Sequence, residues 1–407
     1  MKNFNYKKNQ FFVENLSFKK ISKKFKTPFY CYSLAQLRIN IDNFKKSFNE
    51  IKPLICFSIK SNSNIRIVRE LKKRGCGADV VSIGELMLAL KAGINPLKIV
   101  FSGVGKTEEE IKFAIKKKIL LINIESESEA ILINKLSKKE KKITNVGIRL
   151  NPNIKSGTLK KISTGSQEDK FGLVEKNFLD LVKKIKTYKN LSLECLSIHI
   201  GSQILKIKPF ENSIKIIENL IKKTKYNFKY IDLGGGIGIP YNKNSKELSM
   251  LKYSSIIKRF KNRHNCQIIF EPGRSIVGNT GVLATKVNFI KKTKKKDFII
   301  LDAGMNDLMR PALYGARHLI VPSTKRRSLH KKSVEFVGPC CESSDIFLNL
   351  SKYQKINEND LLLIMDTGAY GMSLSSNYCF RPKPAEILVD KLKIKLIRKK
   401  EDIKKLI

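Results

Sequence analysis

The sequence contains no apolar run long enough for a signal h-region or a membrane span. Its opening stretch, Met1–Gln10, is polar and lysine-rich, so a cytoplasmic polypeptide without membrane partners is expected. The 8 cysteines form no spaced framework. That excludes the disulfide-stapled secreted class and leaves reduced thiols as the expectation. Cys340 and Cys341 are adjacent, and a bridge between neighbours strains the backbone. Structural zinc ligands are spaced, as in C-x2-C, so no metal site is expected. Acids are scarce: 36 Asp and Glu stand against 80 Lys and Arg, a net charge of +44. Such a surplus gathered in one patch would indicate a polyanion partner. Here the lysines are scattered, as in "SKKF", "AIKKKI" and "LSKKEKK", and no RNA motif with interleaved aromatics accompanies them. A nucleic-acid partner is therefore not expected, and the charge reads as compositional background. There is no Pro/Gly-rich linker, and "GGGIGI" does not fit the dinucleotide signature G-x-G-x-x-G.

What is present is enough chain, 407 residues with 42% hydrophobic, for two domains. Eight β-rich runs alternate with amphipathic helical patterns: "ICFSIK", "ADVVS", "KIVFSG", "LLINIES", "NVGIRLNP", "LECLSIHIGS", "YIDLGGG" and "QIIFEPG". Eight β/α units over roughly 245 residues is the size and order of a TIM barrel, expected over 26–275. After Arg274 the runs "TGVLATKVNFIKK", "FIILDAG", "VEFVGPC", "DLLLIMDTGAY" and "PAEILVD" are separated by turns rather than helices. They predict a second, mainly β domain over 276–407, joined by residues 1–25 through "FFVENLSFKKI". Residues 153–170 form a long polar segment after the fifth strand, expected as a partly ordered lid.

TIM-barrel sites lie at the C-terminal ends of the strands. Those ends supply Lys60, Ser82, Gly103, Glu125, Arg149, His199, Gly234–Gly236 and Glu271. By strand alternation Lys60 shares a face with Ser58 and Cys56. A lysine there is either one more solvated cation or a partly desolvated amine able to condense with an aldehyde; its position and neighbours favour the second. His199, one of only 4 histidines, is either a core residue or a site residue, and the rim location favours the site. Ser202 offers a hydroxyl to an anion. Three glycines after a strand let the backbone approach an oxyanion. Glu271 needs a cationic partner, which a protonated ring nitrogen would provide, and Arg274 is a fixed cation. An amine for an aldehyde, a histidine, an anion cradle and an acid for a ring nitrogen are the requirements of pyridoxal 5′-phosphate.

With these parts in place the sequence resembles the diaminopimelate decarboxylase family over about residues 25 to 390. The motifs "IKSNSN", "FSGVGKT", "HIGSQ", "DLGGGIGIPY" and "EPGRS" carry the resemblance in the barrel. "DAGMNDLMRPALY", "GPCCESSD" and "DTGAYGMSLSSNY" carry it beyond and separate this family from ornithine and arginine decarboxylases. Departures are small: Ser61, Ile83 and Cys379 stand where the family often has Ala, Gly and Asn. The resemblance implies that Lys60 bears the cofactor and His199 packs on its ring. It implies that Ser202, Gly234, Gly235, Gly236, Gly273, Arg274 and Tyr370 hold its phosphate. Glu271 would pair with the ring nitrogen, and Asp79 and Arg149 would support the ring. Arg274, Arg310, Tyr314, Glu342 and Tyr370 would bind the substrate. Cys341 would be a catalytic proton donor reaching the site of the partner subunit in a homodimer, with Cys340 left to packing. The implied reaction is decarboxylation of meso-2,6-diaminopimelate to L-lysine. A related fold-type III decarboxylase or racemase, and a basic nucleic-acid binder on an enzyme fold, are the alternatives.

Overall fold

The computed structural model describes residues 3–154, 165, 169–242 and 244–407. The chain divides into two compact units, one of Ile41–Ile239 with Lys246–Arg274, the other of Met1–Asn40, Pro240–Ser245 and Ser275–Ile407. The chain opens with β1 (Phe4–Lys7), β2 (Gln10–Val13) and β3 (Leu16–Ser17), which form a small antiparallel sheet, and continues with β4 (Phe29–Ser33).

The first unit is a closed eight-stranded parallel barrel, as the sequence predicts. Its strands are β5 (Leu54–Ser58), β6 (Gly77–Val80), β7 (Ile99–Phe101), β8 (Leu121–Ile124), β9 (Thr144–Leu150), β10 (Leu191–Ile198), β11 (Tyr230–Asp232) and β12 (Gln267–Phe270). β12 closes on β5 through Ile269 and Leu54. Alternate residues face inward. One inner layer is apolar, with Cys56, Val100, Leu121, Cys195, Tyr230 and Ile269 in one buried cluster. Two residues further along each strand the inner layer turns polar. Asn123 crosses this layer, its amide donating to Ser102 (3.1 Å), Ser197 (3.3 Å) and Asp232 (3.2 Å). A β-carbon at Gly147 would lie 2.2 Å from the Asn123 Oδ1, so only glycine leaves room for this strut.

Helices begin where the strands end because small polar residues cap them. Asn64, Ser82, Thr107 and Ser126 each accept a backbone N–H of the following helix's first turn, a contribution of about 1 kcal/mol apiece. Ser82, expected at the rim as a site candidate, is therefore engaged as a cap by the Glu85 N–H at 3.2 Å. The lysines have a structural pattern as well. They fall in the last turns of Ile65–Lys73, Glu108–Lys117, Glu127–Lys139, Glu175–Lys184 and Lys208–Thr224, where positive charge complements the helix dipole.

The second unit is mainly β. It adds β13 (Gly281–Lys292), β14 (Lys296–Leu301), β15 (Ile320–Pro322), β16 (Ser333–Val337), β17 (Ile346–Leu350), β18 (Leu361–Ile364), β19 (Ala385–Asp390) and β20 (Lys393–Arg398). The sheet runs β17-β16-β14-β13-β4-β19-β20, with β18 paired to β13 and β15. Residues 26–40, expected in the barrel, belong to this unit. The physical reason is β4: its five residues are all buried, paired antiparallel with β13 and parallel with β19. Phe11, Phe18, Phe29, Val282, Leu363 and Ile387 share its core.

Of the expected lid, 155–164 and 166–168 lie outside the described residues. Among the described residues no helix is long and apolar enough to cross a membrane, and no group of three or more His, Cys, Asp or Glu could hold a metal ion.

Candidate active site

Lys60 does not end a strand. β5 stops at Ser58, and Lys60 sits in one turn of 3-10 helix, Ile59–Ser61. From there its Nζ lies 3.0 Å from Oδ2 of Asp79, a residue of the barrel's polar inner layer in register with Ser58. The same oxygen accepts the Ser58 hydroxyl at 2.8 Å. Asp79 is buried, and its other oxygen, Oδ1, has no hydrogen-bond partner among the described residues. Glu85 lies near this pair; burial first, then Asp79, pushes its carboxyl up to about 7.

Arg149, on β9, is held by Glu125 at 3.0 Å. Glu125 also accepts the N–H groups of Gly103 (2.9 Å) and Gly172 (3.0 Å), so one buried carboxylate fixes an arginine and two loops. His199 follows β10, and its Nδ1 accepts the Gly235 N–H at 3.1 Å. The lone pair is thereby committed and the other nitrogen carries the proton. Burial, then Arg149 and Lys60, holds the imidazole well below its usual pKa, which keeps it neutral.

The glycine run after β11 is shaped by crowding. Gly234 has φ +62° and Gly236 φ +90°; a β-carbon at Gly235 would lie 2.3 Å from the Glu271 carbonyl oxygen, and one at Gly236 would lie 2.5 Å from that of Gly201. Gly234 N–H donates to Asp232 Oδ1 at 2.9 Å and the Gly234 carbonyl accepts the Glu271 N–H at 2.8 Å. The Glu271 carboxyl is buried and hydrogen-bonded with that of Asp232. Two carboxylates this close in a dry interior cannot both ionise. Burial, then Asp232 and Asp79, pushes Glu271 well above the carboxylate range. Ser202 Oγ accepts from Arg274 Nη2 at 3.1 Å, which leaves its own hydrogen to donate. A β-carbon at Gly273 would lie 2.9 Å from that of Ser61.

In the β unit Arg310 is buried. Its Nη1 donates to Tyr241 Oη at 3.0 Å and meets His318 Nε2 at 2.8 Å. Tyr314 closes the same short helix, Arg310–Tyr314. Tyr370 has φ 57°, an uncommon backbone for a bulky residue. Cys341 is exposed while Cys340 is buried. Burial first, then Asp345, pushes the Cys340 thiol up to about 12. Glu342 accepts the Tyr378 hydroxyl. Both line a cavity of about 580 Å³ with Met305, Asn306, Met309 and Ser376.

The chain was compared with known proteins. Residues 34–278 match the family described as "Pyridoxal-dependent decarboxylase, pyridoxal binding domain". A diaminopimelate decarboxylase of Aquifex aeolicus is 40% identical over 98% of this chain and 94% of its own length. One from Vibrio cholerae is 38% identical over 99% and 97%. The chain belongs to the diaminopimelate decarboxylase family. As a member it is an enzyme, a carboxy-lyase whose cofactor is pyridoxal 5′-phosphate. Solved members share its fold: the Helicobacter pylori enzyme complexed with L-lysine has a TM-score of 0.90 at 40% identity, covering 96% of this chain and 98% of that one. The m. jannaschii enzyme in co-complex with L-lysine has 0.93 at 35%, covering 99% and 96%.

The barrel residues fit that cofactor. The run of glycines, without β-carbons, lets a phosphate come close to the backbone, Asp79 keeps a buried oxygen without a partner among the described residues, and Glu271 is a buried carboxyl whose pKa is raised, suited to facing a ring nitrogen. Not legible in the sequence were Asp232, which joins Glu271 to the glycine run, Asn123, which braces Asp232, and His318, which meets Arg310. The signal for Asp232 was its place two residues before the glycines, on the inward face.

Proposed function

We propose that this chain removes carbon dioxide from meso-2,6-diaminopimelate to give L-lysine, with Lys60, His199, Glu271 and the Gly234–Gly236 run holding the cofactor. The chemistry the cofactor supplies when bound is an electron sink for the bond that breaks. The protein's part is positioning and proton handling. Lys60, held beside Asp79 at 3.0 Å, would be the amine that bears the cofactor, with Asp79 a support beside the ring. Ser202, Gly273, Arg274 and Tyr370 complete the phosphate's ligands, and Arg149 supports the ring's edge. Neutral His199 packs on the ring without placing charge there. Glu271 is the partner of the ring nitrogen. Arg274, Arg310, Tyr314, Glu342 and Tyr370 take the substrate's carboxylates and amines, and Cys341 delivers a proton to the carbon that loses carbon dioxide.

The observation that carries the reading is the Glu271 carboxyl, buried against the Asp232 carboxyl, on the same barrel as a lysine already paired with an acid. We further propose a homodimer with shared sites and a reducing, cytoplasmic address, which eight unbridged thiols favour. The test is lysine and carbon dioxide formation from meso-diaminopimelate, with ornithine, arginine and lysine as competing substrates. Turnover of one of those, and not of the dicarboxylate, would remove the proposal. RNA binding that survives physiological salt would contradict the background reading of the charge.

A further inference from the structure

Arg310 is not simply a buried cation; its plane is fixed. His318 sits between the short helix Arg310–Tyr314 and β15, and both of its ring nitrogens are engaged. Nδ1 lies 2.7 Å from the Met365 carbonyl oxygen and Nε2 lies 2.8 Å from Arg310 Nη1. A carbonyl oxygen accepts only, so Nδ1 carries a hydrogen. A guanidinium donates only, so Nε2 offers its lone pair. The two partners together select the neutral Nδ1–H tautomer.

The imidazole is itself anchored. Ile320 pairs with Ile364 across β15 and β18, and Met365 N–H donates to the Leu319 carbonyl at 2.8 Å. The neighbouring Leu319 thus ties this stretch of backbone to Met365, the His318 side chain ties to the same residue, and His318 is 1% exposed. Tyr241 closes the other side. Its ring meets the imidazole edge-on at 5.2 Å and lies 4.9 Å from the guanidinium carbon, and its hydroxyl accepts from the same Nη1. Both hydrogens of Nη1 are thus committed to protein acceptors, which sets the rotation of the whole guanidinium plane. A bidentate carboxylate contact depends on that plane.

We propose that His318 is a positioning residue that orients Arg310 for a substrate carboxylate. The proposal rests on the reading of Arg310 as a substrate ligand. His318→Phe keeps a flat ring and removes the acceptor. His318→Gln keeps an acceptor near the Nε2 position. In the holoenzyme, His318→Phe is expected to raise KM for meso-diaminopimelate about 10–100-fold, the range for losing a hydrogen bond to a charged group, with kcat little changed. Gln should recover most of the loss. The Kd of pimelate, an inert dicarboxylate followed by calorimetry, should rise in parallel, while that of cadaverine, which has no carboxylate, should not. If the Phe variant does not fold, His318→Asn, too short to reach the guanidinium, takes its place. Arg310→Met separates the two levels. A raised KM in Arg310→Met with none in the His318 variants overturns the positioning role alone. An unchanged KM in Arg310→Met overturns the assignment of Arg310 and the proposal with it. A loss of kcat, or of thermal stability, in His318→Phe without a change in KM or in the pimelate Kd assigns His318 a structural role and also overturns the proposal.

Discussion

The Lys60 ammonium is 3.0 Å from a carboxylate oxygen of Asp79 that already accepts the Ser58 hydroxyl. The lysine is part-exposed and the aspartate is not. The pair therefore consists of a part-exposed amine and a buried carboxylate whose position is fixed from a second side.

Lys60→Ala is expected to abolish covalent attachment of pyridoxal phosphate and nearly all turnover. Asp79→Asn keeps the shape and removes the charge that pairs with the ammonium, so attachment should survive but slow. Borohydride reduction followed by mass spectrometry reads both. A reduced adduct on another residue in Lys60→Ala would end the assignment.

Several of these relationships were legible in the sequence and others were not. A lysine, a histidine and a glutamate at the ends of buried strands stand out because the interior tolerates charge only where it is paired. The Lys60 3-10 turn was invisible, since one residue decides whether alternation continues past Ser58. The partners that hold two of the candidate residues, Glu125 for Arg149 and His318 for Arg310, sit 24 and 8 residues away, at spacings no local pattern encodes. β20 was missed because "KIKLIR" reads as solvated polar chain. It is an edge strand, and its lysines guard the edge.

Glu271 gives the ligand-free protein a distinctive pH response. Its folded pKa is raised, so the folded state keeps a proton that the unfolded chain releases above about pH 4.3. Stability then falls as pH rises from that point until the folded pKa is passed, by up to about 1.4 kcal/mol per unit. Glu271→Gln should flatten that part of the curve in urea titrations. An unchanged slope would show that the proton resides elsewhere.

His199 acts with the opposite sign. Its folded pKa is depressed, by burial first and then by Arg149 and Lys60, so the unfolded chain gains a proton below about pH 6.5 that the folded state refuses. Stability should fall as pH drops below that value. His199→Phe, measured in the Glu271→Gln background to remove the opposing slope, should lose this dependence.

Cys341 and Cys340 should separate cleanly. Cys341→Ala is expected to lower the rate by about 10²–10⁴, as for loss of a general acid. Cys340→Ala removes a buried thiol and should cost stability with little effect on rate. Mixing Cys341→Ala with Lys60→Ala should restore activity through mixed dimers, up to about a quarter of sites on statistical exchange. No recovery, with mixed dimers confirmed by tag pull-down, would place Cys341 outside the partner's chemistry.

Glu125→Ala should be among the most damaging single changes in the barrel. It strands the buried Arg149 and two backbone N–H groups, and breaking a buried pair costs about 3–5 kcal/mol. Arg149→Met with Glu125→Gln removes both charges and should be milder than Glu125→Ala alone, read as Tm.

The central place of β4 has a consequence for synthesis on the ribosome. The strand emerges early, yet its neighbours β13 and β19 begin at Gly281 and Ala385. At 5–20 residues per second the first partner follows roughly 12–50 s later and the second roughly 18–70 s later. The barrel has all its strands by then and can close without them. Throughout that interval Phe29–Ser33, a strand whose every residue is destined for burial, has neither edge satisfied. It is a segment of the nascent chain in need of shelter, where a chaperone or a slowed codon would act.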